Sequence, residues 1–194
     1  MLKNSASQWG SISRTGHWLV AVFIAIEIPL GFWMADLIEA YTENPSDDAW
    51  VAGSINAHHT IGFLVLIVTL LRINWRLNNP APDLPASMAK SHRYLTRITQ
   101  AFLYFLLIFY PLTGWAVSST SSGDFSVFFF GLEIPRMIEP QPGGSTFAFD
   151  LFSTMHQFCW KIGCGLLALH LTGAFWGQFI KKNHVLARMW RGYD

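Results

Sequence analysis

The sequence has little charge and almost no cysteine. Only 13% of its 194 residues are charged, and 13 Lys and Arg nearly balance 12 Asp and Glu. Soluble domains carry about 25% charged residues, and a nucleic-acid-binding chain needs a basic excess that is missing here. The two cysteines, Cys159 and Cys164, lie in one apolar run, which fits neither a disulfide framework nor a zinc site. These absences exclude disordered, nucleic-acid-binding and disulfide-stapled secreted chains.

Apolar residues are abundant, with 52% hydrophobic residues, 16 Phe and nine Trp. They form four stretches with at most one Asp, Glu, Lys or Arg each, at residues 17–35, 49–71, 98–123 and 151–180. A helix of about 20 residues crosses roughly 30 Å of hydrocarbon. The sequence therefore predicts an all-α membrane protein, a four-transmembrane-helix bundle forming a single domain over residues 1–194, with spans at about 15–37, 52–76, 97–120 and 151–180.

The charges are segregated along the chain. Cations precede the first span, connect the second and third, and follow the fourth: Lys3, Arg14, Arg72, Arg76, Lys90, Arg93, Arg97, Lys181, Lys182, Arg188 and Arg191. The other two connections carry one cation, Arg136, and the acidic residues Asp36, Glu39, Glu43, Asp47, Asp48, Asp124, Glu133, Glu139 and Asp150. Because cytoplasmic loops are enriched in Lys and Arg, we expect both termini to be cytoplasmic.

Four histidines fall within the spans at matching depths. His156 and His170 are separated by about four helical turns and share one face of span four, about 21 Å apart along its axis. With the predicted orientation, His58 lies near the outer level of His156, and His17 near the inner level of His170. Two facing pairs at two depths predict the axial ligands of two b-type haems, one held by His58 and His156 and the other by His17 and His170.

Other chemistries fit these histidines less well. A zinc or di-metal site needs nearby carboxylates or cysteines, and the single carboxylate within the four apolar stretches, Glu27, is about ten residues from His17. A proton-relay transporter needs several buried acids. His59 points about 100° away from His58, and we favour His58 as the ligand because Gly62 leaves space on its face.

Several charged residues near the predicted haems have two interpretations. Arg72 and Arg14 are each placed to pair with the propionates of the inner haem, or they are ordinary interfacial anchors. Lys161 either reaches the outer propionates or lines a path for an anion. Glu27 is either a proton-handling group or a neutral core acid.

These residues and their contexts resemble the bacterial cytochrome b561 family, whose relatives include the cytochrome b subunits of nickel–iron hydrogenases and formate dehydrogenases. The resemblance lies in Ser13–Leu19 (SRTGHWL), His58–Gly62 (HHTIG) with Arg72, Pro111–Trp115 (PLTGW), His156 with His170, and Asn183–Met189 (NHVLARM). Many relatives carry a histidine where this chain has Gln100, Gly177 or Gln178. The resemblance implies a multi-pass di-haem protein of the bacterial plasma (inner) membrane that exchanges electrons with quinone.

The resemblance and the residues leave two functions open. The first is a stand-alone oxidoreductase that carries electrons between a donor or acceptor at the outer face and the quinone pool, as some relatives do from superoxide to ubiquinone. Superoxide is an anion, so a surface that attracts it needs cationic side chains. Only Arg136, Lys161 and His59 are available for such a surface. The second is a non-catalytic haem-bearing anchor for a larger dehydrogenase or hydrogenase. The expected partners are membrane lipid, ubiquinone or a related quinone and a periplasmic redox protein, with no nucleic acid.

Overall fold

Four long helices dominate the part of the chain that the computed structural model describes, residues 1–43, 48–85, 88–121, 126–140 and 145–192. They are α1 (Ser11–Glu43), α2 (Asp48–Asn78), α3 (Lys90–Thr120) and α4 (Phe147–Phe175). Each is long and apolar enough to cross a membrane, and α4 continues into a short π-helical segment, Trp176–Ile180. The first three predicted spans lie within α1, α2 and α3, and the fourth lies within α4 and the π-helical segment. Asp47 and Asp124, used in the orientation argument, lie outside the described residues.

The helices expose apolar side chains and bury small polar ones. Phe102 and Phe158 are 54% and 62% exposed, whereas Thr69 and Ser119 are 0% exposed. A soluble protein buries its large apolar side chains, but lipid solvates them as well as a protein core does, and small residues let membrane helices approach closely. The pattern is typical of a membrane protein and agrees with the sequence prediction.

The chain divides into two compact units, and each contains a part of all four helices. Unit 1 consists of Met1–Leu19, Val68–Ile108 and Cys159–Asp194, and unit 2 consists of Val20–Ile67 and Phe109–Phe158. Unit 1 contains every Lys and Arg of the sequence except Arg136. Unit 2 contains every Asp and Glu except Asp83 and Asp194. The charge segregation seen along the sequence is therefore a segregation between the two units.

Side-chain hydrogen bonds to backbone join the terminal segments of unit 1. The amide of Asn4 donates to the carbonyls of Asn79 and Pro80, at 3.1 and 3.2 Å, and accepts from the N–H of Gly10 at 2.9 Å. The guanidinium of Arg188 donates to the Ser7 carbonyl at 2.6 Å and to the Asp83 carbonyl at 3.3 Å. Arg188 lies in α5 (Val185–Arg191), a short helix of the tail motif that the sequence analysis did not predict. One role of the motif is therefore to join the tail to the N-terminal segment.

Unit 2 adds a short β-hairpin to a fold that is otherwise mostly helical, as expected. Strands β1 (Val127–Phe129) and β2 (Leu132–Ile134) pair antiparallel through a turn at Phe130 and Gly131, both with positive φ. The hairpin packs on α2, because Phe129 contacts Phe63 with ring centroids 5.9 Å apart and the N–H of Phe130 donates to Thr60 Oγ1 at 3.3 Å. The apolar run is too short to span a membrane, and a hairpin gives its backbone groups partners while its side chains pack on helices.

Candidate functional site

The first histidine pair lies in unit 2. The imidazoles of His58 on α2 and His156 on α4 have ring centroids 6.3 Å apart. Oε1 of Glu27 on α1 lies 2.9 Å from Nδ1 of His58, and the Tyr110 ring of α3 stacks on His156 at 4.1 Å. All four long helices therefore contribute to this arrangement, which we call the Glu27 site.

Hydrogen bonding in the Glu27 site determines where the proton of the His156 imidazole lies. The hydroxyl of Thr113 donates its one proton to the Tyr110 carbonyl at 2.7 Å, and its oxygen lies 3.0 Å from Nδ1 of His156. The hydroxyl must therefore accept from Nδ1–H of His156. In the His156 ring the lone pair is then on Nε2, which is the state that binds a metal ion. Nδ1 of His58 lies 2.9 Å from Oε1 of Glu27 but forms no hydrogen bond with it or with another described residue.

The second pair lies in unit 1. The rings of His17 on α1 and His170 on α4 have centroids 6.1 Å apart. Nη2 of Arg72 on α2 lies 3.5 Å from Nδ1 of His17, and the same guanidinium lies over the ring of Tyr104 on α3, 5.3 Å from its centroid. We call this arrangement the Arg72 site. It again draws on all four helices, but its charged residue is a cation.

Both ring separations fit a single metal ion between each pair. Two imidazoles that bind opposite sides of one ion, each with a nitrogen–metal distance of about 2.0 Å as for zinc, have centroids roughly 6 Å apart. Each pair supplies two ligands, and a haem iron takes one or two axial ligands from the protein because the macrocycle occupies the other positions. The donor set and the spacing therefore fit haem at both sites.

Glycines make room for the side chains of both sites. A Cβ at Gly114 would lie 3.0 Å from Cε1 of His156, and one at Gly16 would lie 3.0 Å from Cγ of Arg72. Gly62, expected to clear space beside His58, instead faces Glu27, since a Cβ there would lie 3.7 Å from Oε1. On α4, a Cβ at Gly163 would lie 4.0 Å from Cδ1 of Leu106, which is an ordinary van der Waals contact.

The structure gives other contacts to the remaining predicted residues. Nε2 of His59 lies 2.7 Å from the hydroxyl of Ser118, whereas its Nδ1 is buried without a hydrogen-bond partner among the described residues. Nη1 of Arg14 donates to the Trp190 carbonyl at 2.8 Å, whereas its Nε is buried without a hydrogen-bond partner among the described residues. Lys161 is exposed. Arg136 donates to the Ser119 carbonyl at 2.9 Å, near the end of α3.

Sequence reasoning missed the residues that orient the imidazoles. Thr113 and Gly114 are part of the PLTGW motif, but a threonine and a glycine in a membrane helix are more often packing residues. The sequence identifies Glu27 as an intramembrane acid, but it does not indicate that Glu27 lies beside His58. No local signal pairs residues 31 positions apart on different helices, so the tertiary structure was needed.

The glycine at position 177, where many relatives carry a histidine, has a steric explanation. A Cβ at Gly177 would lie 2.9 Å from both Oδ1 of Asn183 and Cγ2 of Val185, so a histidine there requires the tail to move. The neighbouring Gln178 accepts a hydrogen bond from the N–H of Ala187 at 3.1 Å. Both positions therefore serve the packing of the tail in this chain.

Comparison with known proteins gives the same family along most of the chain. A family model described as prokaryotic cytochrome b561 matches residues 8–192. Cytochrome b561 homolog 2 of Escherichia coli (strain K12) is 27% identical over 186 residues, 96% of this chain and 93% of that protein. Cytochrome b561 homolog 1 of the same organism is 24% identical over 180 residues, 89% of this chain and 91% of that protein. The matched region includes both histidine pairs.

Proposed function

Because the chain belongs to the prokaryotic cytochrome b561 family of haem-b electron-transfer membrane proteins, we propose that it is a di-haem, quinone-linked oxidoreductase. It carries electrons between a donor or acceptor at the outer face of the bacterial inner membrane and ubiquinone or a related quinone. The observation that carries the proposal is the presence of two histidine pairs with ring centroids 6.1 and 6.3 Å apart. His17 and His170 hold one haem, and His58 and His156 hold the other.

The residues around the pairs have defined roles in this proposal. Bound haem iron supplies a one-electron couple, whose potential depends on its ligands and their surroundings. Thr113 orients the imidazole of His156 through Nδ1–H, and Tyr110 packs against the face of that ring. The apolar helices exclude water from both sites, which lowers the local dielectric and strengthens the influence of nearby charges.

Arg72 is proposed to bind a haem propionate. A guanidinium only donates, and an imidazole that binds iron through Nε2 keeps its proton on Nδ1. The two donors do not satisfy each other across their 3.5 Å contact, so Arg72 is left to donate to an anion. A bidentate carboxylate is the partner that suits a guanidinium best. Arg14 is the second candidate, because its Nε–H is buried and donates to no partner among the described residues.

The charge distribution supports a topology with both termini in the cytoplasm. Unit 1 holds both termini and all Lys and Arg residues except Arg136, and basic segments remain on the cytoplasmic side. Unit 2 then faces the outside with its acidic residues. A cysteine-accessibility assay tests this topology: Ser5→Cys reacts with a membrane-impermeant maleimide only in lysed cells, and Glu139→Cys reacts in intact spheroplasts. The reverse pattern contradicts the proposal.

The proposed electron transfer is tested by supplying electrons either from superoxide, as the outer donor, or from ubiquinol. The full chain is purified in mild detergent, its haem content is measured, and visible spectra are recorded while superoxide and then ubiquinol are added. A reduced b-type band that appears with superoxide and is discharged by ubiquinone supports the oxidoreductase. Reduction by ubiquinol alone supports electron delivery to an outer acceptor. A preparation without haem overturns the proposal.

The alternative of an electron-transfer anchor gives a different result. An anchor subunit shows no turnover between superoxide or another small donor and quinone, and it co-purifies with a dehydrogenase or hydrogenase subunit. Affinity purification from the native membrane, followed by mass spectrometry and a quinone-reduction assay on the same sample, distinguishes the two functions.

A further inference from the structure

The intramembrane carboxylate of Glu27 has a specific partner. Its Oε1 lies 2.9 Å from Nδ1 of His58, and the two side chains are only 13% and 17% exposed. We propose that Glu27 is a positioning residue that holds His58 with Nδ1–H towards α1 and strengthens its Nε2 as an iron ligand. This inference rests on the proposed role of His58 as an axial ligand. It assigns a role to Glu27 in setting the potential of one of the two haems.

A purely structural role explains this carboxylate poorly. Oε2 of Glu27 and Nδ1 of His58 are both buried and have no hydrogen-bond partner among the described residues, so the 2.9 Å contact between Oε1 and Nδ1 is an electrostatic one. Burying a carboxylate is costly unless several donors satisfy it, and an ionisable residue within a membrane span is more often functional than structural. The contact with His58 is therefore the interaction that gives Glu27 its role.

The two helices accommodate each other's side chain in a reciprocal way. Gly31 lies one turn after Glu27 on α1, and a Cβ there would lie 3.6 Å from Cε1 of His58. Gly62 lies one turn after His58 on α2, and a Cβ there would lie 3.7 Å from Oε1 of Glu27. Each glycine thus leaves open the surface that the opposite side chain covers. The position of the carboxylate beside the imidazole follows from the packing of α1 on α2.

The chemistry of the contact predicts its effect. An acceptor at Nδ1 fixes the tautomer of a metal-binding histidine and raises the basicity of the other nitrogen. In its ionised form a carboxylate does so more strongly than the Thr113 hydroxyl that faces Nδ1 of His156, because it is charged. It also stabilises the oxidised iron, which carries one more positive charge than the reduced iron. Glu27 therefore lowers the potential of the haem in its site.

The test measures haem potentials in the full chain in detergent. In a His170→Ala background only the haem of the Glu27 site is expected to remain, so its titration is read alone. We expect Glu27→Gln, which keeps the size of the side chain and removes its charge, to keep this haem and shift its reduction equilibrium about tenfold, or about 59 mV upwards for one electron. The control is Glu39→Gln, which removes the same charge from an exposed position of α1 and leaves the potential unchanged.

An unchanged potential in Glu27→Gln overturns the inference, and so does an equal shift in Glu39→Gln. If Glu27→Gln loses the haem, Glu27→Asp and Glu27→Asn are compared instead. Haem binding restored by Asp alone supports a carboxylate partner for His58, and haem binding restored equally by Asn overturns the inference. A parallel His58→Ala variant separates this inference from the proposed function, because retention of both haems there contradicts the ligand assignment itself.

Discussion

The Glu27 and Arg72 sites each contain a pair of histidines, but in opposite electrostatic settings. Their ring centroids are 6.3 and 6.1 Å apart, so the spacing of the two histidine pairs is almost equal. Nδ1 of His58 faces a carboxylate, whereas Nδ1 of His17 faces a guanidinium. Nearby negative charge favours oxidised iron and positive charge favours reduced iron. In the proposed di-haem protein, one neighbouring side chain at each site is thus expected to give the two haems different potentials.

The two units repeat this contrast on a larger scale. Unit 1, which contains the Arg72 site, has nearly all the cations, and unit 2, which contains the Glu27 site, has nearly all the anions. In the proposed topology, an electron entering from the outside meets the lower potential first and is more stable at the Arg72 site.

The largest effect is expected from removing one ligand of either pair. His17→Ala and His58→Ala each leave one imidazole at a site, and we expect haem content to fall from two per chain to one. The potential measured for the remaining haem is then the potential of the intact site. The measurement is a pyridine haemochrome assay together with a redox titration. His92→Ala is the control, because His92 belongs to neither pair, and it retains two haems. Two retained haems in either ligand variant contradict the assignment.

A smaller effect is expected from crowding His156. A Cβ at Gly114 lies 3.0 Å from Cε1 of His156, so Gly114→Ala displaces the ring and costs about 1–3 kcal/mol. We expect weaker haem binding at the Glu27 site, measured as haem loss during transfer to apomyoglobin, with the Arg72 site unaffected. The matched control is Gly165→Ala on α4, where an added Cβ meets nothing within 4 Å. Equal haem loss in both variants contradicts the steric explanation.

Removing the guanidinium should shift a potential in the opposite direction to Glu27→Gln. Arg72→Gln eliminates the positive charge beside His17, and we expect the potential of that haem to fall by about 59 mV, a tenfold change for one electron. Arg76→Gln is the control, since Arg76 also lies over the Tyr104 ring, at 5.8 Å, and a smaller shift is expected there. If the potential rises in Arg72→Gln, the electrostatic asymmetry is contradicted.

The smallest effect is expected at the neutral partner of His156. Thr113→Val keeps the shape of the side chain but removes the acceptor of Nδ1–H, leaving a buried donor that costs about 1–3 kcal/mol. Haem should stay bound with a potential shift smaller than that of Glu27→Gln. Low-temperature electron paramagnetic resonance detects the altered ring orientation. A shift larger than that of the Glu27 variant contradicts the conclusion that charge is the dominant influence.

The sequence allowed the helices and the histidines to be predicted, but not their partners. Long apolar runs identify membrane helices because lipid requires every backbone group to be satisfied within the helix. The hairpin around Phe129 was missed, because a short apolar run is ambiguous between a strand, a loop and a helix end. The association of Thr113 with His156 and of Glu27 with His58 depends on helix rotation, which a single sequence does not define.

The sequence by itself determined the four membrane helices, the segregation of charge and the depth of each histidine within its helix. These properties follow from local hydrophobicity, from charge and from the fixed rise of an α-helix, so no knowledge of packing is needed. The tertiary structure alone decided that His58 faces Glu27 whereas His17 faces Arg72. That choice depends on which helix faces meet, and it is made by close packing at small residues such as Gly16, Gly31, Gly62 and Gly114.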